Sequence, residues 1–391
     1  MGFLMPLTIT RVTLSIILFA ALAAGCSSTL KLGRPLVRRA GDWTMFAMTE
    51  RRVITVAHPP TLPLTLEWDQ DIQGGTGNGS PLVVDSLVFT GNLRGDLHAF
   101  HVRTGKHLGS INLGEAIQGS PVINGGIALV ALSNSHESLL AYDLTEGKTR
   151  WKRECGDIEV SPLVFDRKIY VGNTEGAFYC VGEFSGDQVW KFTIPENTQL
   201  KGIRSSAASE GTTIVFGSDD GYVYALDAAT GLLRWRFDTG APVMATPTII
   251  GGVVCIGNLD GRLFSLELAT GAMRWNFHAG TSLYAAVSTV DSLAVVGTTG
   301  GFLFALHVAD GSLAWKIDIG GPVNSTAVPA GGVLYVGTLK RRLVAIDAKD
   351  GRELWSTEVS GRIKTTPAVA DGRLFVTTDD RTLLSFKGAV Q

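Results

Sequence analysis

Cysteine is scarce in this sequence, with only four residues among 391. Cys26 ends an apolar N-terminal stretch, so processing of that stretch leaves Cys155, Cys180 and Cys255 in the body of the chain. An odd number of thiols in an oxidising compartment leaves at least one of them unpaired. We therefore expect no disulfide framework, and we interpret Cys180 and Cys255 as small buried strand residues.

An excess of positive charge is also lacking. The 34 lysines and arginines are balanced by 36 aspartates and glutamates, which gives a formal net charge of -2 and a pI near 6.4. Proteins that bind nucleic acid through its phosphates usually present a basic surface. The composition therefore argues against a nucleic-acid partner, whereas 45% hydrophobic residues and 47 glycines are typical of a globular protein.

Recognisable catalytic and metal-binding motifs are missing as well. The chain has no P-loop, no nucleophile motif and no cysteine pair with metal-ligand spacing. His98, His101 and His107 lie close in sequence, but on a strand His98 and His101 point to opposite faces, which argues against a metal site. The acidic turns at residues 217–221 and 377–381 are typical of solvated turns, with calcium binding as the alternative. We expect no catalytic residue, no cofactor and no metal.

Long apolar runs are confined to the N-terminus. Arg11 is followed by "VTLSIILFAALAAGCSS", whose apolar part is shorter than the roughly 20 residues of a transmembrane helix. Such a run ending in small residues is typical of a secretory signal. The "LAAGC" that ends at Cys26 resembles a bacterial lipobox, in which the chain is cut before the cysteine and the thiol receives a diacylglycerol; a plain signal peptide is the alternative. We predict a signal peptide over residues 1–25 and lipid attachment at Cys26.

Residues 26–63 are predicted to form a lipidated tether and lead-in. In a Gram-negative cell, Ser27 after the cysteine is consistent with the periplasmic face of the outer membrane. The basic side chains of the tether could lie near anionic headgroups, but we interpret this stretch mainly as a solvated linker. Deletion of residues 27–40 should then be nearly silent. The basic residues are Lys31, Arg34, Arg38 and Arg39.

The rest of the chain is built from a repeat. The segments "ATGLLRW" from Ala229, "ATGAMRW" from Ala269 and "ADGSLAW" from Ala309 are near-copies at a period of 40 residues. Short alternating runs separated by Gly, Asp and Asn turns indicate strands, and four strands per repeat make a propeller blade. The turn glycine of each repeat is Gly105, Gly147, Gly186, Gly231, Gly271, Gly311 or Gly351.

A tryptophan follows nearly every turn glycine at a constant spacing, and one repeat has Gly109 there instead. A large aromatic side chain recurring once per blade suits packing between neighbouring blades, because so many copies cannot all be active sites. We therefore predict a structural role in blade docking for these residues. They are Trp68, Trp151, Trp190, Trp235, Trp275, Trp315 and Trp355.

Two incomplete repeats at the ends complement each other. The strand around Trp68 has no blade in front of it, and the last repeat stops before its tryptophan strand. An N-terminal strand near residues 64–73 should complete the final blade and so remove an exposed sheet edge. The sequence predicts an all-β protein, an eight-bladed propeller of four-stranded blades spanning residues 64–391.

The repeats resemble those of the quinoprotein-like propellers, the superfamily that contains pyrroloquinoline-quinone dehydrogenases. The resemblance rests on "ALDAATGLLRW" at 225–235, "AIDAKDGRELW" at 345–355 and the lead-in "DWTMF" at 42–46. With a lipobox, eight blades and no insertions, the chain is most similar to BamB-type lipoproteins. That resemblance implies a monomeric, non-catalytic scaffold that binds the BamA subunit of the outer-membrane barrel-assembly machinery.

Two other functions stay open. A propeller lipoprotein could bind another periplasmic protein or a carbohydrate. A quinone-dependent dehydrogenase is the enzymatic alternative, but those enzymes are usually longer, and they carry an adjacent cysteine pair and calcium-binding acid and amide groups. The sequence has no adjacent cysteine pair and no inserted segment to carry such ligands.

The loop "TIPENTQLKGIRSS" gives the longest spacing between turn glycines, from Gly186 to Gly231. Extra loop length on a regular scaffold is where binding tends to reside. BamB-type proteins have Leu-Arg-Gly in a partner-binding loop, and the comparable place here reads Leu200-Lys201-Gly202. We predict partner binding by Leu200, Lys201, Gly202, Ile203 and Arg204, with Leu200 and Ile203 offering apolar contact and Lys201 and Arg204 positive charge. A loop that merely spans two blades is the alternative.

Overall fold

The computed structural model describes Gly2 and residues 29–39, 41–56, 58–195 and 200–389. Over this part of the chain, 32 strands form eight four-stranded antiparallel sheets, and no helix is present. The sheets follow one another around a ring as propeller blades, with the innermost strands of neighbouring blades in contact. The predicted fold class is confirmed. Accordingly, none of the described residues forms a helix long and apolar enough to cross a bilayer.

The N-terminal strand β1 (Leu64–Asp71) belongs to the eighth blade. The first blade contains β2 (Leu82–Val84), β3 (Leu87–Gly91), β4 (Asp96–His101) and β5 (His107–Asn112). The second contains β6 (Val122–Asn124), β7 (Ile127–Ala131), β8 (Leu139–Asp143) and β9 (Lys148–Arg153). The third contains β10 (Leu163–Phe165), β11 (Lys168–Gly172), β12 (Ala177–Gly182) and β13 (Gln188–Thr193). The fourth contains β14 (Ala208–Glu210), β15 (Thr213–Gly217), β16 (Tyr222–Asp227) and β17 (Leu233–Asp238).

The second half of the ring repeats this pattern. The fifth blade contains β18 (Thr248–Ile250), β19 (Val253–Gly257), β20 (Arg262–Glu267) and β21 (Met273–His278). The sixth contains β22 (Ser288–Val290), β23 (Leu293–Gly297), β24 (Phe302–His307) and β25 (Leu313–Asp318). The seventh contains β26 (Val328–Ala330), β27 (Val333–Gly337), β28 (Arg342–Asp347) and β29 (Glu353–Glu358). The eighth contains β30 (Ala368–Ala370), β31 (Arg373–Thr377) and β32 (Thr382–Gly388), completed by β1.

Strand β1 closes the ring, as predicted. It pairs with β32 from Leu64 opposite Gly388 to Asp71 opposite Thr382. The Arg373 guanidinium on β31 donates to both carboxylate oxygens of Glu67, at 2.6 and 3.0 Å. Burial disfavours the charged form of Glu67, but Arg373 and Lys387 hold its pKa below the ordinary value. Strand β1 is therefore held at the outer edge of the eighth blade both by its pairing with β32 and by the ion pair between Glu67 and Arg373.

Neighbouring blades are joined by a repeated contact between a tryptophan and a turn glycine. The Trp190 ring covers Gly231, where an added Cβ would lie 2.6 Å from the indole, and Trp190 Nε1 donates to the Ala228 carbonyl at 3.1 Å. Gly231 has φ +73°, which favours glycine on backbone grounds too. We call this pair of contacts the blade lock. The same lock is made by Trp68, Trp151, Trp235, Trp275 and Trp315, with Gly105, Gly186, Gly271, Gly311 and Gly351.

The seventh blade differs because the eighth blade offers no turn glycine of this kind. Strand β32 ends at Gly388, and its outer neighbour β1 comes from the other end of the chain. Trp355 instead packs edge-on against Phe386 at a centroid distance of 6.0 Å, and it is only partly buried. It provides a natural comparison for the lock.

We predict that Trp315→Ala lowers the free energy of unfolding by about 3 to 5 kcal/mol, since it empties a buried site and leaves the Ala348 carbonyl without its indole donor. Trp355→Ala removes no blade lock and should lower the free energy of unfolding by less. Urea unfolding of the two variants beside the wild type measures both. Equal losses would contradict a specific contribution of the lock.

Residues 42–54 cross one end of the central channel, and we call them the N-terminal plug. Trp43 is fully buried and donates from Nε1 to the Val369 carbonyl at 2.9 Å. Further along, the Glu50 and Arg51 carbonyls accept the backbone N–H groups of Ser209 and Ile249. The plug therefore touches blades on different sides of the ring and ties them together.

Arg52 fastens the plug. Its side chain is buried, donates from Nε to the Ala207 carbonyl and from Nη1 to the Phe46 carbonyl, both at 2.7 Å, and lies 5.5 Å from the Phe46 ring centroid. Burial lowers its pKa to about 9. The two carbonyl oxygens compensate part of the cost of burying this guanidinium, whereas its Nη2 has no hydrogen-bond partner among the described residues.

The expectation of a solvated linker after Cys26 is wrong for residues 29–36, which we call the docked segment. Leu30 is fully buried and Leu36 nearly so, and both join a core cluster between the first and second blades. Arg34 and Arg39 bind the two carboxylate oxygens of Asp85 at 2.7 and 2.5 Å. Deletion of residues 27–40 would therefore remove core packing. Cys26 and nearly all of the predicted signal peptide lie outside the described residues.

Candidate partner-binding site at the channel mouth

The central channel is open at the end away from the plug. A cavity of about 230 Å³ lies there, with Phe46 of the plug among its lining residues. All eight blades contribute side chains or backbone, mostly from the residues just before the innermost strand. The ring of lining residues includes Asn78, Gly119, Val160, Arg204, Met244, Tyr284, Asn324 and Lys364.

Hydroxyl groups bind successive blades together just below this mouth. The backbone N–H of Ser80 donates to Ser120 Oγ at 2.7 Å, and Ser120 N–H donates to Ser161 Oγ at 2.8 Å. The same link joins Ser161 to Ser206, and Thr326 to Thr366. The mouth is thus a preorganised rim, on which loops and side chains are presented with little freedom.

Of the loop singled out in the sequence, the structure describes the residues from Leu200 onward, and Arg204 lies on this rim. Arg204 lines the cavity and donates from Nε to Glu159 at 3.0 Å, while its Nη1 contacts the Asp219 carboxylate. Asp219 is buried, and burial raises its pKa above the ordinary value although Arg204 opposes that shift. One guanidinium therefore connects the third blade's approach segment to the fourth blade, and stays about two-fifths exposed itself.

Gly202 is required by this ion pair, because an added Cβ would collide with both the Asp219 carboxylate and the Arg204 guanidinium. Next to it, Leu200 projects into solvent with 58% of its surface exposed. Lys201 is half-buried, and its backbone and Cβ cover Gly176 of the third blade. The loop presents one apolar side chain beside a fixed pair of charges.

Ile203 does not match its predicted role, because the expectation of an exposed apolar side chain there is wrong. Ile203 is fully buried and sits over Gly172 at the end of β11. The repeat contains equivalent residues: Val243 and Leu283 follow the tryptophans of their repeats, Trp235 and Trp275, at the same interval. These two side chains cover Gly217 and Gly257, as Ile203 covers Gly172. The inserted residues displace Ile203 from that interval and so conceal the correspondence.

Asp219 and Glu159 belong to the site, and the sequence reasoning did not select them. The "GSDDG" turn was interpreted as solvated, but only its second aspartate is partly exposed, and that residue accepts the Tyr224 hydroxyl at 2.5 Å. The same turn position holds Leu259 and Leu339 in two other repeats, but Thr174, Thr299 and Asp379 in three more. The variety at this position explains why the repeat gave no clear indication of the role of Asp219.

The three remaining thiols lie within the blades. Cys155, Cys180 and Cys255 are free and fully buried, and burial raises the pKa of each to about 12. Cys180 lies on β12 and Cys255 on β19, which confirms their interpretation as buried strand residues. At such a pKa the nucleophilic thiolate is negligible at neutral pH.

Two of the three clustered histidines come together. His98 on β4 and His107 on β5 approach to 3.3 Å between Nδ1 and Nε2, whereas His101 lies at the far end of β4. No set of three potential metal ligands is found among the described residues. Burial and the neighbouring His107 lower the pKa of His98 to about 4, although Asp96 opposes that shift.

We predict that this histidine makes the fold acid-labile. His98 stays neutral in the folded state down to about pH 4, whereas in the unfolded chain it takes up a proton near pH 6.5. The stability that neutral His98 gives the fold is therefore fully present above pH 6.5 and is lost as the pH falls toward 4. The loss in the free energy of unfolding is at most about 3 kcal/mol. Urea unfolding at pH 7.5 and at pH 5.0 gives the loss of stability on acidification, and this loss should be smaller for His98→Gln than for the wild type. If the loss is the same in both proteins, a group other than His98 causes the acid lability.

The ring of eight blades, the blade lock and the sequence repeat together define a β-propeller of the quinoprotein-like class. Three overlapping matches to one family model, described as outer membrane protein assembly factor BamB, cover residues 64–192, 179–328 and 305–389. The chain belongs to this BamB family.

Individual relatives are distant. An outer membrane protein assembly factor BamB from Kangiella koreensis is 26% identical over 191 residues, which are 44% of this chain and 47% of that protein. The chain thus spans about half the length of the curated relatives it matches. The crystal structure of BamB from Moraxella catarrhalis superposes with a TM-score of 0.71 at 19% identity, covering 83% of this chain and all 100% of that one.

The same fold also occurs in enzymes. A quinohemoprotein alcohol dehydrogenase from Comamonas testosteroni superposes with a TM-score of 0.74 at 16% identity, over 90% of this chain and 82% of that one. Identities this low show the fold alone. The function must therefore be argued from the site.

Proposed function

We propose that this protein is a non-catalytic scaffold in the assembly of outer-membrane proteins, and that it binds the BamA-type subunit of the assembly machinery through the channel mouth. Membership of the BamB family supports a role in the assembly of outer-membrane proteins. The observation that carries the site is the exposed Leu200, four residues before Arg204, whose guanidinium is held in place by Asp219 and Glu159.

This arrangement suits a protein partner. A solvent-exposed leucine and an oriented arginine in the same loop offer apolar contact together with directed hydrogen bonding, and arginine is enriched at interface centres. Because Asp219 and Glu159 already orient the guanidinium, little side-chain entropy is lost on binding. Acidic groups on the partner would find Lys201 and Arg204 on the same rim.

We predict that Leu200→Asp raises the dissociation constant for the periplasmic region of the BamA-type subunit at least about tenfold, equivalent to 1.4 kcal/mol. Leu232→Asp is the matched control, since Leu232 is 69% exposed but lies at the opposite end of β16 from the Asp219 turn. Surface plasmon resonance with both variants, checked for equal melting temperatures, gives the answer.

If both variants bind like the wild type, the channel mouth is not the docking site. Binding of neither the wild type nor the variants would favour the other candidates, another periplasmic protein or a carbohydrate. A second variant, Arg204→Lys, keeps the charge but cannot bridge Asp219 and Glu159 at once, so it should weaken binding while leaving Leu200 in place.

A quinone-dependent dehydrogenase would need groups to hold its cofactor, and the channel mouth offers a poor set. No cysteine is among its lining residues, and the three thiols are buried singly, without the adjacent pair that those enzymes carry. We predict no heat of binding when pyrroloquinoline quinone and calcium are titrated into the protein, and no dye-linked oxidation of alcohols or sugars. Stoichiometric binding at micromolar affinity would overturn the non-enzymatic assignment.

The proposed scaffold acts at the periplasmic face of the outer membrane, held by a lipid on Cys26. The "LAAGC" sequence supports this proposal, and the family is one of outer-membrane assembly factors. Substitution Cys26→Ser should abolish acylation and move the protein from the detergent phase to the aqueous phase in a Triton X-114 partition.

A further inference from the structure

The junction between the first and second blades lacks the tryptophan of the blade lock. Gly109 stands on β5 where the other outer strands carry their indole, opposite Ala99 in the ladder. The turn glycine of the second blade, Gly147, is nevertheless present with φ +74°, and so is the Leu144 carbonyl three residues before it. The receiving half of the lock is thus intact.

The docked segment fills this vacant place. Lys31 covers Gly147, where an added Cβ would lie 3.0 Å from the lysine Cβ. The backbone N–H of Leu32 donates to the Leu144 carbonyl at 2.7 Å, the equivalent of the carbonyl that accepts indole Nε1 elsewhere. The segment thus supplies both parts of the lock in place of tryptophan: the Lys31 side chain covers the glycine, and the Leu32 backbone N–H donates to the carbonyl.

Additional contacts hold the segment in one position. Thr29 forms a parallel bridge with Ser110 on the outer strand β5, and the Leu30 carbonyl accepts the Tyr142 hydroxyl at 3.1 Å. Leu30 has no exposed surface at all. Asp85 binds Arg34 of the segment and also Arg39 just beyond it. The chain is therefore anchored on the propeller rim from Thr29 onward.

We propose that this docked segment orients the propeller on the membrane, with the rim of the first and second blades facing an anionic lipid surface. The inference rests on the proposed lipid attachment at Cys26. Only Ser27 and Ser28 stand between Cys26 and Thr29. The three Cα–Cα steps from Cys26 to Thr29 reach at most about 10 Å. The lipid must therefore enter the bilayer within that distance of β5.

The composition of this rim agrees with a lipid surface. Leu108 on β5 is 39% exposed, and the side chains of Lys31, in the docked segment, and Lys106, just before β5, are exposed as well. Lysines near anionic headgroups add attraction to a lipid anchor, and an apolar side chain at that depth loses contact with water. With the rim toward the membrane, the channel mouth opens sideways, along the membrane surface.

The orientation can be measured in the full-length lipoprotein. Leu108→Cys and Met273→Cys place a thiol on the outer strands of the first and fifth blades, on opposite sides of the ring, and both native side chains are exposed. The native thiols are buried and will not compete for label. Each variant is labelled with bimane and reconstituted into vesicles of phosphatidylethanolamine and phosphatidylglycerol that contain a nitroxide-labelled lipid.

We expect the lipid nitroxide to quench the label at position 108 and to leave the label at position 273 bright. Leu32→Pro, which removes the N–H donated to Leu144, should abolish this difference, whereas Leu32→Ala, which keeps the N–H, should preserve it. A flexible Gly-Ser insertion of about 12 residues between Ser28 and Thr29 should also abolish the difference, and it leaves the lock itself untouched.

The outcomes separate the two proposals. A wild-type protein that enters the Triton X-114 phase but shows equal quenching at both positions contradicts the orientation and leaves the lipid anchor standing. A wild-type protein that stays in the aqueous phase contradicts the anchor, and the orientation with it. Persistent unequal quenching in the insertion variant would show that the rim binds lipid without help from the short connection, and would overturn the role given to the docked segment.

Discussion

The blade lock is the contact on which the rest of the structure depends. Each blade is a small sheet that cannot bury both of its faces alone, so stability comes from the junctions between blades. In each of the six tryptophan junctions, the indole covers a glycine and satisfies one carbonyl oxygen of the next blade. A Cβ at the glycine would strike the ring, and loss of the indole would leave a buried acceptor unpaired, so the two residues constrain each other.

The two exceptional junctions show how the ring accommodates its ends. Between the first and second blades, the side chain of Lys31 and the backbone N–H of Leu32 take the place of an indole. Between the seventh and eighth, Trp355 has no turn glycine to cover, because the outer strand of the eighth blade is supplied by β1. The N-terminal stretch thus compensates at three places: as docked segment, as channel plug and as closing strand.

Periodicity made the propeller predictable, and its limits explain what was missed. The fold, the eight blades and the closing strand follow from turn glycines, tryptophans and two complementary end fragments. Ile203 has a repeated role too, but the inserted loop shifts it out of step with Val243 and Leu283. The docked segment and the plug occur only once each, so the repeat pattern does not predict them. Leu30 and Arg52 are buried by residues that lie far from them in the sequence, so the local composition around each does not predict its burial.

The pairing of β1 with β32 sets the order in which the fold can be completed. Leu64 meets Gly388, 324 residues further along the chain, so β1 stays unpaired until β32 has formed. Until then, the eighth blade is incomplete, and Trp68 cannot close its lock on the first blade. Contacts between such distant residues are reached slowly, and an unpaired edge strand invites association with other chains. During that interval the incompletely folded chain is exposed to association through its open sheet edges.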